Sequence, residues 1–164
     1  MLDDVILMVI AFLGIVMGVV IGKHTYEELK AGEKYFVLFK NLVLLAMALM
    51  LLFGIKRISI ELLVLFLMGF LVAYFLRFTY LFLGFAAAAS IMAGKQLAIL
   101  PLIYVYGMPF GTIRYYHIKN NLKLLRIILV NFILFMLPLG LMYFEFNEYV
   151  LMAFSAGALL ANIR

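Results

Sequence analysis

Apolar residues fill seven long runs of this chain, and short polar joints separate the runs. They cover about residues 5–22, 35–55, 60–76, 78–94, 97–113, 124–143 and 149–163. A bilayer core about 30 Å thick is crossed by roughly 20 apolar residues of α-helix, with about 17 as the lower end. The pattern therefore predicts an all-α polytopic membrane protein with about seven transmembrane helices.

The composition agrees with this pattern. Hydrophobic residues make up 69% of the 164 residues and charged residues 13%, whereas a soluble domain is about 45–50% apolar. We expect a single integral membrane domain over residues 1–164. The first run follows two aspartates, Asp3 and Asp4, rather than lysines, and it lacks a small-x-small cleavage site, so we expect a retained helix and not a signal peptide.

Arg77 is the one charge between the third and fourth runs, so a single longer helix with a snorkelling arginine is the alternative to two spans. Seven spans place ten basic residues on one side of the membrane and three on the other. The ten are Lys23, Lys30, Lys34, Lys40, Arg77, Arg114, Lys119, Lys123, Arg126 and Arg164, and the three are Lys56, Arg57 and Lys95. Without the joint at Arg77 this bias nearly vanishes. The positive-inside rule therefore favours seven spans in the cell membrane, with the N-terminus outside and the C-terminus cytoplasmic.

The segment "KHTYEELKAGEKYF", residues 23 to 36, is predicted to be the longest cytoplasmic loop. Thr25 and Glu28 have the spacing of a capping box, which would start a short helix in this loop. Gly32 is placed to end that helix. A solvated connector is the simple interpretation, and a gate or a docking segment for a partner is the alternative.

Two stretches from the first half of the chain resemble stretches in the second half, and in both cases the separation is nearly the same number of residues. "GVVIG", which contains Gly18 and Gly22, and "GMPFG", which contains Gly107 and Gly111, are 89 residues apart, and each precedes a basic loop with a tyrosine. "LVLFLMGFLVA" (63–73) matches "LMAFSAGALLA" (151–161) at an offset of 88. The matches predict a 3+1+3 arrangement: repeat 1 at about 5–76, a linker helix at about 78–94 and repeat 2 at about 97–164.

Three helices, a linker and three more helices give the two repeats the same orientation in the membrane. In this plan the chain resembles the SWEET class of sugar transporters, which also have parallel repeats. The resemblance is one of helix arrangement, and no residue role is transferred from that class.

Glycines at four-residue spacing mark two of the predicted helices. Gly14, Gly18 and Gly22 form two GxxxG steps in the first run, and Gly107 and Gly111 form one step in the fifth. Such steps let another helix backbone approach closely. We expect these glycines to be packing positions within the chain, with a seam to a second copy or to another membrane protein as the alternative.

Polar residues inside the apolar runs are the candidates for contact with a solute. Asn131 lies seven residues before Pro138 in the sixth run, and Ser155 lies seven before Asn162 in the seventh, so each pair shares a helix face. Tyr104 in the fifth run completes the candidate set. The alternative for each amide is a hydrogen bond between helices, worth about 0.6 kcal/mol in a membrane.

Pro138 and Pro109 are the predicted hinges. Proline in a helix removes one amide donor and bends the backbone. If the polar faces converge beside these bends, they line a path near the axis between the repeats, which is where transporters of this plan bind substrate.

The residues needed for several kinds of enzyme or metal chemistry are absent or unsuitably placed in this sequence. The chain has no cysteine, and its two histidines, His24 and His117, lie in basic loops without the spacing of a metal site. Every carboxylate lies in a loop, at a terminus or, like Glu61, at the very start of an apolar run, so neither an intramembrane hydrolase nor ion coupling is supported. We expect no enzyme activity, no cofactor, no metal and no nucleic-acid partner.

The sequence thus predicts a small membrane transporter or facilitator that moves a small, neutral solute between two three-helix repeats. The expected partners are the lipid bilayer and a small-molecule solute. The alternative is a non-catalytic scaffold or accessory subunit that binds other membrane proteins or lipid.

Overall fold

The computed structural model describes residues 2–55, 59–118, 120–143 and 147–163, with the backbone alone at Lys30 and Tyr143. All regular structure in these ranges is helical, which confirms the predicted all-α class for them. The helices are α1 (Leu2–His24), α2 (Tyr26–Phe53), α3 (Ile60–Leu76), α4 (Thr79–Met92), α5 (Gln96–His117), α6 (Asn121–Met136), a 3₁₀ helix (Leu137–Tyr143) and α7 (Glu148–Ala161).

Four helical stretches are long and apolar enough to cross a bilayer. They are Leu2–His24, Ala31–Phe53, Gln96–His117 and Asn121–Met142. The other three apolar helices, α3, α4 and α7, have 17, 14 and 14 residues. The four long stretches are compatible with a membrane protein.

Large apolar side chains remain exposed on the outward faces of α1, α2, α3 and α6. On α3 they include Leu63, Val64, Leu67, Met68 and Leu71. Water-soluble proteins rarely expose an apolar patch larger than a few hundred Å². These faces therefore favour a lipid environment over water.

The core is built around α4. This helix packs against α5, α6, α7 and the 3₁₀ helix, and its residues from Phe82 to Ser90 are buried except for Phe85. Small side chains allow this: the four alanines Ala86–Ala89 are fully buried. A helix that is apolar on all sides is expected to lie inside a bundle, which is where α4 lies.

α1 and α5 meet through their backbones at glycine residues. A methyl group built on Gly18 would run into the carbonyl oxygen of Met108, and one built on Gly111 would run into that of Ile15. The two contacts are reciprocal, because Met108 and Ile15 each precede the facing glycine by three residues. Only glycine permits this separation between the two helices.

The same seam extends along both helices. Gly14 lies against Tyr104 and Gly22 against Thr112, so the residue numbers rise together and the helices run in the same direction. The buried hydroxyl of Thr112 lies 2.8 Å from the Gly18 carbonyl oxygen and 2.9 Å from that of Met108. Its proton can therefore be donated across the seam to α1.

α3 and α7 form a second pair of the same kind. A methyl group on Gly69 would run into the carbonyl oxygen of Phe154, and one on Gly157 would run into that of Phe66. Phe66 and Phe154 are the partners that align in the sequence at an offset of 88. Phe66 and Phe154 each lie three residues before the glycine of their own helix, so the two glycine contacts are equivalent by the repeat.

The helix predicted to start near Thr25 is present, but the predictions that Gly32 ends it and that residues 23–36 form a loop are wrong. α2 begins at Tyr26 and continues through Gly32 to Phe53, so most of this segment is the first part of a 28-residue helix. The capping box is also absent: the Thr25 hydroxyl donates to the Ile21 carbonyl oxygen of α1 at 3.0 Å and makes no cap bond to α2. The Glu and Lys residues of this segment are good helix formers, and this local preference outweighs the single glycine.

The sixth apolar run changes its helix type near Pro138. The sequence predicts one kinked helix, whereas α6 ends at Met136 and the chain continues as a 3₁₀ helix from Leu137. Pro138 has no amide proton for the carbonyl of Leu134, so the α-helical pattern of hydrogen bonds is interrupted there. A short 3₁₀ segment is a common way for a helix to continue past such a break.

Candidate functional site

A cavity of about 380 Å³ opens where the end of α3, the start of α4, the last turns of α5 and one face of α6 meet. We call it the arginine cavity. Its lining consists of Arg77, Phe78, Thr79, Tyr80, Phe110, Arg114, Arg126, Ile127, Val130, Asn131 and Leu134. Its volume lies in the lower part of the usual range for small-ligand pockets.

Each of the three arginines is placed by a different local feature. Arg77 stands after the last turn of α3 in the left-handed conformation, with φ 56°, and its amide bonds the Ala73 carbonyl at 3.0 Å. Arg114 lies in the last turn of α5, with its guanidinium carbon 5.2 Å from the centre of the Phe110 ring. Arg126 lies near the start of α6, a helix that Asn120 caps by accepting hydrogen bonds from two backbone amides.

The cavity has a one-sided charge. Arg77, Arg114 and Arg126 are all the arginines in the part of the chain that the structure describes, and every one of them lines this cavity. None of the described Asp or Glu residues does so. A planar guanidinium binds carboxylate or phosphate through two parallel hydrogen bonds. The lining therefore suits an anion.

The first turn of α4 adds backbone donors to the same cavity. Phe78 occupies the N-cap position and has no polar side chain to satisfy the free amides, and Thr79 and Tyr80 come next along the lining. The first amides of a helix have no partner within the helix, and together with the helix dipole they favour an anion.

Tyr80 is a buried polar residue with an unsatisfied group. Its side chain is 1% exposed, and its hydroxyl has no hydrogen-bond partner among the described residues. Aromatic rings fix the side chain in place: Phe12 at 5.4 Å, Phe110 at 5.1 Å and Phe135 at 6.3 Å between ring centres. Leaving a buried hydroxyl unpaired costs about 1–3 kcal/mol, so Tyr80 is an unusual polar group at the edge of this cavity.

Two of the four predicted contact residues belong to this region. Asn131 lines the cavity directly. Asn162 reaches it through Thr79, whose hydroxyl donates to the Asn162 side-chain oxygen at 2.8 Å, while the Asn162 amide donates to the Ala158 carbonyl at 2.9 Å. Asn162 therefore positions Thr79 rather than lining the cavity.

The other two lie elsewhere. Ser155 is fully buried, and its hydroxyl donates to the Leu151 carbonyl of its own helix at 2.6 Å. Tyr104 lines a separate, apolar cavity of about 330 Å³ between α1 and α5. The four residues therefore do not converge on one path.

The predicted hinge residues both lie in buried positions. Pro109 is inside α5, beside the glycines of the seam with α1. Pro138 packs on α4, where its ring carbon Cδ lies 3.1 Å from the position of a methyl group on Gly84.

The sequence alone did not bring the three arginines and Tyr80 together at one cavity. In the sequence, the arginines were used only to predict the orientation of the chain in the membrane, since basic residues at helix ends are common on the cytoplasmic side. One signal was present: these three positions carry arginine, while most other basic positions carry lysine. That signal becomes informative only when the helix ends are brought together.

A metal site has no support in the described ranges, where no three His, Asp or Glu side chains gather. His117 instead contacts Glu33 of α2 at 2.8 Å, and both side chains are substantially exposed. The neighbouring rings of Tyr26 and Tyr116 lie 5.5 Å apart. These contacts join the start of α2 to the end of α5.

No protein-family model, curated protein or solved structure matches this chain.

Proposed function

We propose that this chain is a small seven-span membrane carrier that takes up an anionic ligand in the arginine cavity. The convergence of Arg77, Arg114 and Arg126 on a cavity without a described carboxylate carries the proposal. The neutral solute expected from the sequence does not suit this lining, and we propose an anion in its place.

The sorting of the helix ends supports seven spans. The Thr79 to Asn162 bond, the Tyr26 to Tyr116 contact and the arginine cavity gather the joints near residues 25, 78, 118 and 162 at one end of the molecule. At the opposite end, the Lys95 ammonium donates to the Gly54 carbonyl at 3.2 Å. This is the alternation that seven successive spans require.

The short length of α4 fits the same proposal. Fourteen residues of α-helix extend about 21 Å, which is less than the bilayer core of about 30 Å. Because protein surrounds α4, its ends need not reach the membrane surface. Its first turn can then lie at the bottom of a recess, and the arginine cavity is found at that turn.

The reciprocal glycine contacts support two parallel repeats around α4. α1 pairs with α5 and α3 pairs with α7, and in the 3+1+3 plan these are the corresponding helices of the two repeats. We propose that the repeats move relative to each other about these seams. Small residues on both sides of each seam would let the backbones slide without displacing large side chains.

A vesicle assay tests the proposed function. Purified protein is reconstituted into neutral liposomes, and the movement of two anionic probes is measured: radiolabelled inorganic phosphate and a fluorescent phosphatidic acid. We expect at least one probe to cross faster than in protein-free liposomes. The double substitution Arg114→Gln with Arg126→Gln should slow this movement at least tenfold, because the loss of even one charge-assisted hydrogen bond costs on the order of 1.5–3 kcal/mol.

Lys123→Gln is the matched control, since it removes one positive charge from the exposed face of α6 outside the cavity. Equal movement with and without protein, for both probes, would overturn the carrier. Binding of an anion without any movement would favour the scaffold or accessory subunit that the sequence allows as the alternative.

A further inference from the structure

We propose that the ligand of the arginine cavity is an amphiphilic lipid with a phosphate headgroup. The inference rests on the proposed assignment of the arginine cavity as the ligand site, and it names the class of ligand. The phosphate would lie among the three arginines, and the hydrocarbon chain would lie along α6.

The lining contributed by α6 changes character along the helix. Arg126, Ile127, Val130, Asn131 and Leu134 all line the cavity. Their spacing places them on one helix face. This face begins with a cation and ends, two turns further on, with aliphatic side chains. A ligand that lies along it needs a charged end and an apolar end.

The cavity lies at the lipid-facing side of the bundle. α6 begins the least buried of the four long helical stretches, Asn121–Met142, of which 17% is buried. Next to the lining residues of α6, the same helix carries the exposed apolar side chains Leu125, Leu129 and Ile133. A lipid can therefore enter sideways from the bilayer, whereas a soluble anion would gain nothing from the aliphatic part of the lining.

The polar groups of the cavity suit a phosphate. The three guanidinium groups offer paired donors to phosphate oxygens, and the free amides at the start of α4 offer more. Asn131 carries both a donor and an acceptor, and it lies between Val130 and Leu134 in the part of the lining that α6 contributes. A phosphate with its attached glycerol or alcohol has both kinds of group at this position.

The volume agrees with a headgroup rather than with a whole lipid. About 380 Å³ is enough for a headgroup and the first part of a chain. The remainder of the chain would lie on the exposed apolar surface of α6, in contact with neighbouring lipids. This arrangement requires no closed hydrocarbon pocket inside the bundle.

Three probes separate the headgroup from the chain. They are dioctanoyl phosphatidic acid, which has both parts, glycerol 3-phosphate, which has only the phosphate, and dioctanoylglycerol, which has only the chains. Binding to the purified full chain in a neutral detergent is measured by titration in native mass spectrometry and by thermal stabilisation. We expect phosphatidic acid to bind at least tenfold more tightly than either of the other two probes.

Variants assign the two parts of the ligand to the two parts of the cavity. Arg114→Gln with Arg126→Gln should weaken phosphatidic acid about tenfold, and Lys123→Gln should leave it unchanged. Val130→Asn should weaken phosphatidic acid severalfold and leave glycerol 3-phosphate unchanged, because it alters only the aliphatic wall. Arg126→Gln alone serves if the double variant does not fold, since Arg126 is exposed.

Equal affinity for glycerol 3-phosphate and phosphatidic acid would overturn the inference in favour of a soluble phosphate ligand. Equal affinity for dioctanoylglycerol, or no loss in the arginine variants, would show that the headgroup is not recognised here and would also overturn it. The vesicle assay separates the two proposals. If phosphatidic acid binds but does not cross the membrane, the carrier proposal is wrong and the lipid site stands. If inorganic phosphate crosses and no lipid binds, the lipid site is wrong and the carrier proposal stands.

Discussion

Arg77 combines an unfavourable backbone conformation with a position in the lining of the arginine cavity. In the described residues it is the one non-glycine residue with positive φ, at 56°, and the left-handed conformation costs an ordinary residue roughly 1–2 kcal/mol. Glycine would end α3 without this cost. Arginine at this position supplies one of the three cations of the cavity, which is a physical reason for tolerating the strain.

We therefore expect Arg77→Gly to raise the stability of the protein by about 1 kcal/mol and to weaken phosphatidic acid binding. Thermal unfolding in detergent, followed by circular dichroism, measures the first effect, and the lipid titration measures the second. Arg77→Lys is the control, because it keeps both the charge and the strain and should give no gain in stability. A fall in stability for Arg77→Gly would contradict the strain argument.

Thr112 is expected to contribute little to stability, although its hydroxyl can bridge two helices. Its hydroxyl lies 2.8 Å from the Gly18 carbonyl across the α1–α5 seam, and such bonds average about 0.6 kcal/mol in membrane proteins. We expect Thr112→Val to lower stability by about that amount. Ser155→Ala is the comparison, since the Ser155 hydroxyl bonds only its own helix and its loss should not loosen any helix pair. If Thr112→Val lowered the stability by several kcal/mol, hydrogen bonding rather than backbone packing would be the main interaction between α1 and α5.

The helix pairs depend on backbone approach, so bulk at their glycines is expected to be costly. Gly69→Leu would push its side chain into the carbonyl of Phe154, and overpacking of this kind costs about 3 kcal/mol. Gly140→Leu is the matched control, because a methyl group there meets nothing within 4 Å. We expect a clear loss of thermal stability for the first variant and little for the second. Similar melting temperatures would mean that α3 and α7 can separate without cost.

The helices were predictable from the sequence because a continuous apolar run in a membrane must satisfy its backbone hydrogen bonds internally. The third run, 60–76, coincides with α3 (Ile60–Leu76). The start of α2 gives no apolar signal, because its residues are charged. The spacing of Thr25 and Glu28 did predict a helix start there, but the predicted end at Gly32 was wrong, since α2 continues to Phe53. The 3₁₀ helix after α6 was also missed, because a proline predicts a break in the α-helix but not the conformation of the residues beyond the break.

The register of the glycine seam illustrates a second limit. The sequence alignment at offset 89 pairs Gly18 with Gly107, whereas the structure places Gly18 against Met108 and the facing Gly111 against Ile15. The packing register is thus one GxxxG step away from the alignment. Because the glycines repeat every four residues, the two helices could pack equally well in either register, and the sequence does not distinguish the two registers. The arginine cavity depends on how the ends of α3, α4 and α5 pack against α6, and it could not be derived from spacing alone.

At the scale of the whole molecule, the orientation in the membrane decides where the arginine cavity opens. With the N-terminus outside, the gathered joints near residues 25, 78, 118 and 162 lie on the cytoplasmic side, and so does the cavity. Anionic lipids are abundant in the cytoplasmic leaflet and attract basic residues there. The opposite orientation would open the same cavity to the other leaflet and would conflict with the distribution of lysine and arginine.

Single cysteines test this orientation cleanly, because the chain has none of its own. Glu28→Cys, Asn121→Cys and Glu61→Cys each replace an exposed residue near a helix end, and each variant is labelled in intact cells with a maleimide that cannot cross the membrane. We expect Glu61→Cys to be labelled, and Glu28→Cys and Asn121→Cys to be labelled only after the cells are opened. Since α1 and α5 run in the same direction, the joints after them must lie on one side if both helices span. Labelling of Glu28→Cys and Asn121→Cys from opposite sides would therefore contradict both the seven spans and the parallel repeats, and the cavity would then need a different account of its access.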